Sequence, residues 1–291
     1  MKKIILLSSI VATLSFGAEV QWGHGTVKVK GGFIGLDYTI SDDIDTYTLI
    51  ENHKNLMNTN WFYGYDFTIF DSKKIRQAQR TINTGISNLN TFLDITGTSL
   101  TIPELEYRLQ GADLGISIGY DLIHESDRDY LGVGAYGGIS LPYIKSSKSL
   151  SSTVKVNLAL ADYFKDSKTE FTTFKIGIGA YGQKSLNDML SVYANAIYAF
   201  QTGSVENDYI NSDFDVDGTY LELNAGLKFR PVKGKVGFLS PNLYGTIGWR
   251  YREWNVDDVA LNISGIASLH TPKSDMKFST NVVTVGLGYS F

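Results

Sequence analysis

Two clusters of side chains, and one set spread along the chain, have types and spacings that could support chemistry. Asp213, Asp215 and Asp217 alternate through Asp213-Phe214-Asp215-Val216-Asp217-Gly218. Carboxylates at alternate positions with glycine sixth form the first half of a calcium loop. The position that should supply a bidentate glutamate is Asn224, and Glu222 falls two residues early. The segment therefore reads either as an acidic surface loop opening a strand or as a site for Ca2+ or another divalent ion. In the second case Asp208 and Asn211 would add oxygens. His124 with Asp121, Asp127 and Asp129 is the nearest approach to a general-base cluster, although such groupings in loops are usually solvated turns. There is no cysteine, which excludes disulfides, zinc–thiolate sites, thiol nucleophiles and cysteine lipidation. The third set is dispersed: Asp37, Asp66, Asp113 and Asp121 come first, then Lys175, Glu222, Lys228, Arg230, Arg250 and Arg252. Each stands on the polar parity of a stretch that alternates with period two.

Those stretches are the elements that must position the charges. Apolar residues recur at every second position over 33–40, 61–70, 113–122, 131–141, 173–180, 192–200, 220–230, 243–252 and 283–291, and more weakly over 154–160. Period two is the signature of a strand with two unlike faces. Ten strands result, most of 9–12 residues, longer than the 5–6 typical of globular sheets and suited to a tilted bilayer crossing. The face opposite the apolar one is built of Gly, Ser, Thr and charge; Leu114, Ile116, Ile118 and Tyr120, for example, oppose Gly115, Ser117 and Gly119. A secreted sandwich would carry a watered face rich in Lys and Glu and poor in Gly. The pattern fits an all-β transmembrane antiparallel up-and-down barrel of about ten strands (8–12), apolar toward lipid and polar toward a narrow lumen. Tyr38, Trp61, Tyr120, Tyr198, Tyr251 and Tyr289 lie toward strand ends, as interfacial aromatics do.

Composition agrees. The 291 residues include 29 Gly, 18 Tyr and 15 Phe, with 43 % hydrophobic and 19 % charged side chains. Twenty-six basic and 30 acidic groups give a formal charge of −4, and nothing in that balance points to nucleic acid. Lys2 and Lys3 precede a short apolar run ending in Ser15, Gly17 and Ala18, the form of a secretory leader. Residues 1–18 are read as that leader, with cleavage after Gly17 or Ala18, and residues 19–291 as the barrel. Loss of Lys2 and Lys3 takes the charge from −4 to −6.

At the C-terminus, Val283, Val285, Leu287, Tyr289 and Phe291 carry the alternation to an aromatic on the last residue. This resembles the closing strand of Gram-negative outer-membrane β-barrels. The resemblance implies that Tyr289 and Phe291 form an assembly signal read by the barrel-assembly machinery. It also implies a place in the cell outer membrane among membrane lipid and lipopolysaccharide. Barrels of this class include enzymes. The omptin proteases use an Asp pair and an Asp–His pair at the outer rim; Asp42-Asp43 and Asp257-Asp258 are present here, but His24, His53, His124 and His270 lack the matching spacing. No segment matches the His, Ser and Asn of the outer-membrane phospholipases.

With both chain ends in the periplasm, Gln183–Met189 and Pro231–Pro241 read as short periplasmic turns. Gly203–Asp217 and Asn255–Lys277 read as longer outer loops. Residues 71–107 are then a long insert on the periplasmic side. In it Ile75, Ile82, Ile86, Leu89 and Leu93 make a helical stripe, capped by Asp71 or Ser72. A helical insert over about 71–100 is expected to plug the lumen, close its mouth or lie on the membrane. The inward charges form either a salt-bridge plug or the lining of a water-filled pore.

The expected function is that of a non-enzymatic barrel without cofactor, either a narrow passive channel or a structural envelope barrel. Adhesion and a rim-site hydrolase are the alternatives. Replacing Phe291 with Asp should impair insertion, so that the heat-modifiable membrane form is lost and mature chain accumulates in the periplasm. Unchanged membrane yield and gel migration would contradict the assembly role of this residue.

Overall fold

The computed structural model describes residues 18–33, 36–53, 59–77, 80–83, 99–102, 105–123, 128–149, 168–207, 212–231, 242–259 and 274–290. Thirteen strands appear among them: β1 (Ala18–Phe33), β2 (Leu36–His53), β3 (Trp61–Ser72), β4 (Ile75–Gln77), β5 (Arg80–Asn83), β6 (Ser99–Ile102), β7 (Leu105–Asp121), β8 (Tyr130–Ser149), β9 (Lys168–Ser185), β10 (Leu190–Asn207), β11 (Ser212–Phe229), β12 (Leu243–Val259) and β13 (Ser274–Tyr289). Ten of these form a closed antiparallel barrel in the order β1, β2, β3, β7, β8, β9, β10, β11, β12, β13. β13 pairs back onto β1, and β3 pairs with β7. β4 continues along β7 above β3, and β5 and β6 form a separate ribbon. Closure gives each of the ten barrel strands a neighbour on both sides, which lipid requires because it offers no hydrogen bonds.

Nine of the barrel strands have 16–20 residues. At the usual rise and tilt they span about 40–50 Å, against an apolar band of about 25 Å in such barrels. The wall divides accordingly. In the half nearer the termini, Trp22, Trp61, Phe67, Leu114, Ile116, Leu131, Val133, Val285 and Leu287 are exposed on the outside, and Ile176 and Ile178 reach 73 % and 71 %. In the other half the outside carries Lys28, Lys30, Arg108, Glu170, Thr202, Asp215 and Asp217, while Val27, Val29, Ile44, Phe70, Leu109, Phe171, Val205, Val216, Val256 and Phe278 are buried inside. The polarity of the wall thus inverts with height. The lower half faces lipid, and the upper half is built like a barrel standing in water.

Inside, large side chains lie over glycines. A Cβ on Gly288 would fall 2.3 Å from Tyr244 Cζ, and one on Gly115 would fall 2.7 Å from Tyr136 Oη. The excess of Gly and Tyr in the composition is the mark of this interlocking.

Several sequence expectations need correction. β1 was not foreseen, because its apolar parity switches midway: Trp22 points out, whereas Val27 and Val29 point in beside outward Lys28 and Lys30. The stretch 33–40 is the end of β1 and the start of β2 rather than one strand. The additional strand reverses the direction of β3. The connection that follows it therefore leaves from the rim opposite the termini, which is the outer rim in the outer membrane. The insert is also not helical in its described part. Asp71 and Ser72 are residues of β3, Ile75 lies in β4 buried inside, and Ile82 lies in β5. Cross-strand bonds hold this course: Asp71 accepts from Arg108 (2.8 and 2.7 Å), and Ser72 Oγ accepts from the Leu109 N–H (2.9 Å). Ile86, Leu89 and Leu93 lie outside the described residues, as do the 154–160 strand, most of Pro231–Pro241, and leader residues 1–17. β10 and β11 run to Asn207 and from Ser212, so most of the expected loop Gly203–Asp217 is strand; β12 and β13 run to Val259 and from Ser274, so the described ends of Asn255–Lys277 are strand as well. The turn at 186–189 is as short as expected; Asn187 Oδ1 accepts from the N–H groups of Met189 and Leu190, both at 2.9 Å.

The inversion can be measured. Ile178→Arg, on the lipid belt, should cost about 2–4 kcal/mol at the bilayer midplane. Thr202→Arg, outward on the neighbouring strand above the belt, should stay within about 0.5 kcal/mol. Refolding free energies in lipid vesicles would decide; equal costs would place the belt wrongly.

Candidate functional site

A layer of charge crosses the lumen at mid-height, where five strands each contribute one or two residues by the parity argument. Asp113 of β7 and Lys175 of β9 are both fully buried, and Lys175 Nζ donates to Asp113 Oδ1 and Oδ2 at 2.7 and 2.8 Å. Ser140 Oγ donates to the same carboxylate at 2.5 Å and accepts from Trp254 Nε1 at 2.9 Å. The Lys175 ammonium also lies 4.0 Å from the ring centre of Tyr220, which stacks on Tyr136. Beside this pair, Arg252 of β12 donates through Nε to Glu222 Oε2 of β11 (2.9 Å) and through Nη2 to Asp66 Oδ2 of β3 (2.8 Å). Tyr220 Oη donates to Glu222 at 2.6 Å. Arg250 stands 3.4 Å from Glu222 and donates to Thr48 Oγ1, which is 2.9 Å from Thr68 Oγ1.

Three acids, Asp66, Asp113 and Glu222, thus meet three bases, Lys175, Arg250 and Arg252, in one buried layer. With lipid outside and protein inside, such charges are tolerated only when paired and hydrogen-bonded. Immediately above, Trp254 packs against Tyr220 and Phe70, and Phe171 packs edge-on against Phe278. The lumen is filled there by apolar side chains.

The remaining inward charges lie elsewhere. Lys228 sits over the Tyr244 ring (3.7 Å) near the lower rim, with Arg230 5.9 Å from the same ring. Asp121 closes a turn, its Oδ1 accepting from the N–H groups of Ile123 and Leu131 at 3.2 Å. The side chain of Asp37 lies outside the described residues. Sequence reasoning missed Glu19, which accepts from Gln21 (2.7 Å) and Thr246 (2.5 Å) inside the lower lumen. The alternation of Glu19, Gln21 and Gly23 was its only signal.

The acidic motif is strand, not loop. Val216 is buried inside, and Asp215 and Asp217 are exposed on the outer wall. Alternate residues of a strand stand roughly 6.6 Å apart, an extended course unlike the folded turn of a calcium loop. The side chain of Asp213 lies outside the described residues, as do Phe291, His124 and the side chains of His53 and His270. Tyr289 ends β13. Among the described residues no three acids or histidines converge on a metal position.

Above the belt, ion pairs tie neighbouring strands together: Arg108–Asp71 (2.7 Å), Lys74–Glu106 (3.1 Å) and Lys73–Asp43 (2.6 Å). The hydrogen bond to Asp43 raises the Lys73 ammonium above the usual lysine range, an exposed effect that salt screens. His24 Nδ1 lies 3.0 Å from Asp45 Oδ1 on the outer wall, its ring stacked on Trp22 and directed away from the lumen.

No protein-family model matches the chain, and no curated protein matches it in sequence. A solved structure does share its fold. The outer membrane protease OmpT from Escherichia coli superposes with a TM-score of 0.53 at 11 % identity, covering 94 % of this chain and 97 % of that one. Two further matches are the P. putida toluene transporter TodX (TM-score 0.29, 9 % identity, 94 % and 91 % covered) and Ail, the attachment invasion locus protein of Yersinia pestis (0.29, 11 %, 95 % and 100 %). A closed ten-stranded wall with an apolar belt is the architecture of a Gram-negative outer-membrane β-barrel, and the outer membrane is its place.

The buried pair gives a direct test. Lys175→Met leaves Asp113 unanswered and should cost about 3–5 kcal/mol. Adding Asp113→Asn should restore much of that loss, giving a coupling of about 1–3 kcal/mol in the double-mutant cycle. Additive losses in refolding would show that the two groups stabilise the barrel independently.

Proposed function

We propose that the protein is a non-conducting, non-enzymatic envelope barrel that holds the upper half of its wall above the membrane as a rigid contact surface. The observation that carries this reading is the filled lumen: a paired charge layer spans its middle, and the aromatic and aliphatic layer of Phe70, Phe171, Trp254 and Phe278 lies above it. Of the two roles foreseen for the inward charges, plug and pore lining, this packing favours the plug. A conducting path would need charges left hydrated along its length. The partners in this reading are membrane lipid and lipopolysaccharide around the belt, and the barrel-assembly machinery during insertion. OmpT is a protease, but at 11 % identity the likeness is one of fold. The described histidine–aspartate contact, His24 with Asp45, faces outward beside Trp22 rather than into a cleft.

Purified, refolded protein in planar lipid bilayers should show no discrete conductance steps above the lipid baseline. Stable steps from wild-type protein would overturn the closed reading and restore the channel.

A further inference from the structure

On the outer wall, where β3 gives way to β4, an open cleft of about 330 Å³ is lined by Asp45, Asp71, Ser72, Lys73, Lys74 and Arg108. Its height is fixed by β3. Ile69 is the last exposed apolar side chain on the outside of that strand, and Asp71 and Lys73 follow two and four residues higher. At the usual rise and tilt those steps are about 5 and 10 Å. The headgroup layer of a bilayer extends about 5–8 Å beyond its hydrocarbon, so the cleft opens at that layer.

The charges at the cleft are stacked by sign. Each cation stands outside the carboxylate that answers it: Lys74 is 65 % exposed over Glu106 at 5 %, and Arg108 is 42 % exposed over Asp71 at 15 %. Arg76 over Glu106 and Lys73 over Asp43 follow the same order. The ladder holds this arrangement, because Asp71 opposes Gln110 and Arg76 opposes Glu106. An approaching group therefore meets ammonium and guanidinium donors first, with the acids beneath them. Arg108 commits Nε and Nη2 to Asp71, and among the described residues its Nη1 has no partner. Donors so placed suit a phosphate, which accepts on several oxygens at once. Asp45 is the dissenting group. It faces His24 at 3.0 Å and makes no ion pair with lysine or arginine among the described residues.

We propose that this cleft holds a phosphate group of the lipopolysaccharide around the barrel, with Lys73, Lys74 and Arg108 donating to its oxygens. Height selects the source. The cleft opens sideways at the level of the headgroups, which the membrane itself holds against it, whereas a soluble anion meets every other exposed lysine on equal terms. Asp45 opposes the anion, so its removal strengthens the site. The proposal rests on the reading that the upper wall stands clear of the membrane, and not on the closed lumen.

The test titrates purified, refolded protein in octyl glucoside micelles with diphosphoryl lipid A, with lipid A stripped of both phosphates, and with inorganic phosphate. Gel migration first establishes that each variant folds. Diphosphoryl lipid A should bind at least about tenfold more tightly than the stripped lipid. Lys73→Gln together with Lys74→Gln should weaken it about tenfold, and Asp45→Asn should tighten it. Lys28→Gln together with Lys30→Gln removes the same charge from β1, away from the cleft, and should leave binding within about twofold. Equal losses in the two double variants would reduce the attraction to a diffuse one and overturn the site. Equal binding of the two lipids would overturn the phosphate, and unchanged or weaker binding in Asp45→Asn would overturn its place beside that residue. Inorganic phosphate that binds as tightly as diphosphoryl lipid A would overturn the lipid source. Any of these results, with Ile178→Arg still costlier than Thr202→Arg, would remove the site and leave the placement of the wall intact; equal costs there would remove the placement itself.

Discussion

Lys175 carries its charge to a depth where neither lipid nor water can answer it, and the rest of the lumen is arranged around that fact. Asp113, on a neighbouring face of the barrel, supplies the countercharge; Ser140 holds the carboxylate; Tyr220 offers its ring to the ammonium. Arg252 and Arg250 need the same treatment, and Glu222 and Asp66 give it. Because the partners come from strands far apart in the chain, the network also fixes how those strands face one another across the tube. Buried pairs of this kind contribute little net stability, while breaking one is expensive. Their effect is to make misregistered closures unfavourable, since a slip of one residue would turn every charge toward lipid.

Much of this was legible in the sequence because a barrel in lipid has a simple code. Where the outside is apolar and the inside polar, the parity of strands such as β7, β9, β11 and β12 assigns each charge to the lumen. The same rule fails higher up. In β1 the outside turns to lysine and the inside to valine, the two parities cancel, and the strand becomes invisible. With it went the correct side for the insert. Asp213-Phe214-Asp215-Val216-Asp217 reads as a loop rather than a strand for a related reason. A calcium loop and a strand both place carboxylates at every second position, and only Val216 turning inward tells them apart. In its described part the helical stripe gave way to strand, because spacings of seven and four say nothing of cross-strand partners, and Arg108 and Leu109 claim Asp71 and Ser72 for the sheet. Which charges pair was not legible at all, since that depends on barrel curvature and on which tyrosine lies over which glycine.

The glycine–aromatic interlock explains how so narrow a tube is filled without large aliphatic side chains. A tyrosine lying flat over a bare backbone occupies lumen space while leaving its hydroxyl to meet polar neighbours. This suits a lumen that must be dense and polar at once. In the upper half, where the inside is apolar, phenylalanine, valine and tryptophan take over most of the described inward positions.

The height of the wall also bears on what meets the cell surface first. In a barrel cut off at the membrane, only the connections between strands are within reach of an antibody, a phage tail fibre or a host receptor, and connections are the segments that vary most readily. Here a collar of ladder-bonded strand stands clear of the lipid, presenting side chains such as Lys28, Asp215 and Asp217 at fixed spacing. A recognition molecule that grips the collar reads a surface whose backbone cannot be redrawn without opening the sheet. Only side-chain substitution remains as a means of escape, and each substitution must leave the outward face polar and its inward neighbour apolar.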